Sequence, residues 1–170
     1  MLYMVEMELP DRSQLDEWHA WYESHIGRLL TVDGYHGAQR FEALAPCESP
    51  FLAIHDVDGP AVFESAAYRS VGGPKGTGIW RARMTNWHRN LFEGCIRMPA
   101  VAADELLALI APDASAITSQ ALDVTWLDNA GLDGSIARRG VAIVKAGNDS
   151  GGLGTQDGIA WFRPISKKFG

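Results

Sequence analysis

WYESHIGRLLTVDGYHGAQRF, residues 21–41, passes from one hydrophobic period to another, and the place where it changes decides how the chain is read. Upstream, Leu15, Trp18, Tyr22, His25 and Leu29 recur at steps of three and four, the mark of a helix with one inward stripe. Ser13 and Asp16 have the spacing of a capping box, so the helix is expected from Ser13 to Leu30, weakened at Gly27. Downstream, VDGYHG turns the chain into an expected strand, Gly37 to Leu44. His25 therefore sits on the apolar stripe. An imidazole there needs a partner or a task, because an unpaired buried polar group costs about 1–3 kcal/mol. A break at Gly27 would turn His25 toward the mouth of a cavity.

Working outward, Leu2 to Leu9 is rich in strand formers and stops at Pro10, which has no N–H to donate. Phe51 to Asp58 gives a third strand, with Leu52 and Ile54 on one face and Ala53, His55 and Val57 on the other. GPAVFESAAYRSV (59–71) gives a second helix, and GGPKGTG (72–78) a loop beside the cavity. An extended run follows from Asn86 to Met98. The order βαββαβ is that of a ferredoxin-like unit.

Residues 96–170 read as a reduced second copy after a first half at 1–95. LFEGCIRM (91–98) is an expected strand, VAADELLALIA (101–111) an amphipathic helix, and ALDVTWLD, RGVAIVKAG and GIAWFRPI further strands. NDSGGLGTQD (148–157) is too short and glycine-rich for a helix. The expected class is α+β: a ferredoxin-like unit with a reduced repeat, in a dimeric α+β barrel-type architecture.

Composition narrows the function. The chain has 170 residues and a formal charge of −6, from 21 acidic and 15 basic side chains, which offers no broad positive surface to nucleic acid or anionic lipid. No apolar run approaches the roughly 20 residues of a membrane helix, and a cytoplasmic location is expected. Cys47 and Cys95 lack ligand or disulfide spacing, so both are expected reduced. His19 and Glu23 stand one helical turn apart, but a solvated pair explains them better than a metal. GGPKGTG lacks the Gly-Lys-Ser/Thr order of a phosphate loop, and GGLG lacks dinucleotide spacing, so no cofactor is inferred.

The run at 21–41, followed by PFLAIHDVDGPAVFESAAYRSV and WRARM, resembles the EthD-like branch of the dimeric α+β barrel superfamily. There a Trp-Tyr pair precedes Glu and His on the first helix, a turn opens the second strand, and a YLALYELD-like strand leads into SPAY. The chain departs from that pattern at Gly27, Asp33 and His55. The resemblance covers about the first 95 residues and implies a largely apolar ligand cavity between the sheet face and the helix ends. It also implies a second sheet, from another subunit or from the second half of the chain, and a homodimer. Relatives span monooxygenases, isomerases, decarboxylases, dehydratases and binding proteins, so the fold leaves the reaction open.

His25 stands where the resemblance marks function and is the expected general acid/base, with a core histidine bonded to a backbone carbonyl as the other reading. His55 is the second catalytic candidate, placed in the cavity if Leu52 and Ile54 pack on the helices. Trp21, Tyr22 and Trp80 are candidates to stack on an aromatic substrate, and Gln39 and Phe41 to line the same cavity. Arg40 points the other way and reads as a surface residue. His36 and His88 read as structural or exposed. Two functions follow: a cofactor-independent isomerase, lyase or decarboxylase acting on a small aromatic or cyclic catabolite, or a binding or stress-response protein without turnover.

Overall fold

Odd and even residues of the first strand, β1 (Leu2–Glu8), both face apolar surroundings, and this determines the architecture. The computed structural model describes residues 1–114, 122–147 and 158–170. After β1 come a 3-10 turn at Arg12–Gln14, α1 (Leu15–Leu29), β2 (Tyr35–Ala43) and β3 (Phe51–Val57). Four short helices follow, α2 (Ala61–Glu64), α3 (Ala66–Val71), α4 (Gly73–Thr77) and α5 (Trp80–Arg83). The chain then continues with β4 (Thr85–Glu93), β5 (Glu105–Ile110), β6 (Thr125–Leu132), β7 (Arg138–Lys145) and β8 (Ile159–Pro164). The strands close one antiparallel barrel in the order β1-β3-β2-β8-β5-β7-β6-β4.

The ferredoxin-like, dimeric α+β architecture is therefore corrected. A single chain closes the barrel, the molecule is mostly sheet, and every described helix lies before β4. The physical reason is that β1 and β3 bury both faces, so the sheet needs a second wall, and β5 to β8 of the same chain provide it. Closure leaves the four-stranded sheet no free edge for another subunit to cover. The expected helix at 101–111 is β5. A short apolar run such as LLALI does not distinguish buried helix from buried strand by period, and here Leu107 and Leu109 fill the barrel while Ala108 and Ile110 pack outside it. The 91–98 run is split, its first residues ending β4. The glycine-rich stretch 148–157 lies outside the described residues.

Inside the barrel, Leu2, Met4, Phe41, Leu52, Ile54, Phe92, Leu107 and Phe162 form one core. Outside β1 and β3, a second core joins Tyr3, Val5, Met7, Phe51 and Ala53 to Trp18, Tyr22, Ile26 and Leu29 of α1. The expected capping box is also corrected. Asp11 accepts from the Ser13 N–H at 3.1 Å and caps the 3-10 turn, while α1 starts after Gln14, which makes no side-chain cap bond. Gly27 does not end the helix, which runs on to Leu29. The turn into β2 uses Gly34 at φ +89°, where an added Cβ would stand 2.6 Å from Val62.

One end of the barrel is tied shut. The buried Asp56 carboxylate accepts from the Met98 N–H at 2.7 Å and from Lys168 at 2.5 Å. Gln39 donates to the carbonyls of Val101 at 2.8 Å and Ser166 at 3.1 Å, and accepts from the Val101 N–H at 2.9 Å. Phe169 and Ala38 exchange backbone hydrogen bonds at 2.8 and 3.0 Å. No helix among the described residues is long and apolar enough to cross a membrane.

Candidate functional site

Alternation along β1 and β3 sends Tyr3, Val5, Met7 and His55 outward, toward α1. On α1, the three-and-four spacing brings Tyr22, His25 and Leu29 to meet them. Tyr68 of α3, Thr77 of α4, Met84 and Trp87 complete a cavity of about 30 Å³ between the helices and the outside of the barrel. That volume suits one or two waters. His25 and His55, expected from sequence to share a cavity, both line it.

The route by which His55 arrives is a correction. Leu52 and Ile54 point into the barrel, and it is the His55 face that packs on the helices. The cavity lies on that side too, because α1 and the short helices leave a gap over the sheet. Trp21 and Tyr22 both line the cavity, and the Trp21 ring stacks on His25 with centroids 5.0 Å apart and planes 10° from parallel. Trp80 backs Trp21 at 5.9 Å without lining the cavity. Gln39 and Phe41 face the barrel interior, away from the histidines, where Gln39 ties the closed end and Phe41 joins the core. They are not part of this site.

His25 is 8% exposed and its Nδ1 lies 3.4 Å from Arg28 Nη2. Burial, helped by the Arg28 charge, pulls its pKa down to about 4. His55 is 1% exposed, lies under Tyr3 with ring centroids 5.3 Å apart, and leaves its Nδ1 without a hydrogen-bond partner. Burial, and then the nearby His25, pull its pKa to about 3. Both imidazoles are neutral at pH 7. The phenols move the opposite way: burial raises Tyr3 well above its usual value and Tyr22 to about 12, so both stay protonated. The cavity thus pairs neutral imidazoles with proton-bearing phenols in an apolar shell.

Gly76 shapes the cover. A Cβ there would stand 1.8 Å from the Val71 carbonyl oxygen and 3.2 Å from Cε1 of His25, so only glycine lets the backbone of α4 come down over the ring. Thr77 donates to the Gly73 carbonyl at 2.7 Å and holds that turn.

Arg40 is the residue that sequence reasoning misplaced. It is 2% exposed, its guanidinium lying 4.4 Å from the Tyr22 ring centroid and 4.9 Å from that of Trp18, and it donates to Nδ1 of His19 at 2.8 Å. Two aromatic faces and an imidazole substitute for a carboxylate. His19 is thus a hydrogen-bond acceptor for Arg40, and no group of three or more metal-ligating side chains occurs among the described residues. Tyr3, Tyr68, Met84 and Trp87 were also missed. The Tyr3-Val5-Met7 alternation carried the signal for the first of them. His36 pairs with Asp58 at 2.6 Å on the surface.

Compared with known proteins, the chain matches no family model and no curated sequence.

Proposed function

We propose that the chain is a cofactor-independent enzyme of the isomerase, lyase or decarboxylase kind, acting on a small aromatic or cyclic compound with His25 as general acid/base. The observation that carries this reading is the convergence of two neutral histidines on one aromatic-lined cavity. A neutral imidazole accepts a proton from carbon or oxygen, and its return delivers that proton to another position of the same substrate. The unpaired Nδ1 of His55 is a polar atom held ready for a ligand group. Trp21 and Tyr22 supply the faces on which a ring would stack. The EthD-like resemblance of about the first 95 residues supports the choice of His25, at the level of site residues only. A small-molecule substrate and a cytoplasmic setting go with this reading, and the two free cysteines, Cys47 and Cys95, are in keeping with such a setting.

A ring-sized substrate exceeds the present cavity, so its entry displaces the 72–84 cover from α1. That closure favours a second reading, a binding protein without turnover that uses the same cavity. Turnover of aromatic and cyclic catabolites by the intact chain separates the two. Under the enzyme reading His25→Gln lowers turnover about 10²–10⁴-fold with the thermal midpoint retained, and His55→Gln lowers it less. Full activity in His25→Gln removes the acid/base role, and saturable binding without product establishes the second reading.

A further inference from the structure

Among the described residues, the barrel end opposite the Asp56 and Gln39 ties is open. It holds a cavity of about 550 Å³, within the range of small-molecule sites, and barrel mouths are a common location for them. Leu109, Ile136, Ala160 and Phe162 form its apolar wall. Glu48, Ser49, His88 and Ser135 also line it, and its least exposed charged groups are the ion pair of Glu6 and Arg139, joined by two hydrogen bonds of 2.9 and 3.1 Å, with side chains only 12% and 13% exposed. The β6–β7 connection is fixed over the cavity by the buried Asn90, which donates to Ser135 at 2.9 Å and accepts from Asn129 at 3.1 Å.

The state of the ion pair selects the ligand. Glu6 and Arg139 neutralise one another in a bidentate contact, so a charged ligand entering beside them gives up its hydration without meeting a net opposite charge. At the rim, Arg138 is turned to Asp128 at 3.5 Å and to the Trp126 ring, and its half-exposed charge is screened by water. A hydroxyl group suits the pair as it stands: its O–H donates to a carboxylate lone pair, and its oxygen accepts from the guanidinium. We propose that the open end of the barrel binds an uncharged, mainly apolar molecule carrying one alcohol or phenol group. This site is separated from the His25 cavity by the barrel wall and stands independently of the proposed reaction.

The test uses the intact protein with labelled Leu and Ile methyl groups, titrated at pH 7 with 1-naphthol, 1-naphthoate and 1-naphthylmethylammonium. The expected result is saturable shifts at Leu109 and Ile136, none at Leu29 of the histidine cavity, and at least tenfold tighter binding of the naphthol. Glu6→Gln leaves the Arg139 charge uncompensated and is expected to reverse the order in favour of naphthoate. Ala160→Trp, outside the ion pair, is expected to fill the mouth and abolish binding, which keeps the test open if Glu6→Gln does not fold. Equal or tighter binding of either charged probe to the wild type, shifts at Leu29 in place of the mouth, unchanged binding in Ala160→Trp, or no saturable shift at all overturns the proposal.

Discussion

The two halves of the barrel wall have the same spatial plan and, among the described residues, different coverings. Strands β1 to β4 lie in the order β4-β1-β3-β2 and β5 to β8 in the order β8-β5-β7-β6, so each half places its last, first, third and second strands side by side. The first half carries large apolar groups on its outer face, Tyr3, Met7 and Phe51 among them, and α1 with the short helices covers them. The second half has Ala108, Ile110, Ala142 and Ile159 there, with Trp126 and Trp161 only partly buried. Among the described residues, the helical layer thus lies on the wall with the larger outer-face side chains. The wall under α1 is the one that holds a small cavity with buried titratable groups.

The sharpest challenge to that contrast is to delete one indole from each wall. Trp18→Ala, from a fully buried side chain under the helical layer, is expected to cost about 3–5 kcal/mol in urea unfolding, and Trp161→Ala distinctly less. Equal losses would mean that the second wall is as well packed as the first.

Acid should strain the covered wall first. His25 and His55 titrate at about 4 and about 3 when folded, against about 6.5 when unfolded, so between those values the unfolded chain binds more protons. Their neutral burial carries no penalty above pH 6.5. As the pH falls below 6.5, stability is lost by about 1.4 kcal/mol per pH unit for each histidine, until the folded pKa is reached. Unfolding free energies at pH 7 and 5 measure this, and His55→Gln should remove one share of the slope. An unchanged slope in that variant would place the acid sensitivity elsewhere.

Gly76→Ala tests the cover itself. The added methyl collides with the Val71 carbonyl and presses on His25, for an expected loss of about 1–3 kcal/mol and faster amide exchange across 72–84 than across β5. Smallest of all should be Arg163→Ala, which removes an exposed pair with Glu42 at 2.6 Å between β8 and β2. Its effect should stay below about 1 kcal/mol and shrink in salt.

The sequence disclosed elements more readily than their closure. Alternation and the three-and-four stripe located β1, β3 and α1 to within a few residues, and the same stripe placed His25 inward. Period two showed that His55 and Leu52 part company but not which of them faces the helices, since both sides of β3 are buried. Closure itself was hidden because the pairing of β2 with β8 joins residues more than a hundred positions apart, beyond any local pattern. Arg40 was misjudged by its charge. Its neutralising surroundings, Trp18, Tyr22 and His19, come from a different element, and no spacing on β2 announces them.

The ties at the closed end also have a bearing on synthesis. Gln39 and Ala38 on β2 wait for Ser166 and Phe169, so that edge emerges from the ribosome long before its partners do. At about 5–20 residues per second, the interval is on the order of ten seconds. During it, β2 presents an unpaired ladder to whatever strand is nearest, and a nascent chain stalled before β8 is a template for association with its neighbours.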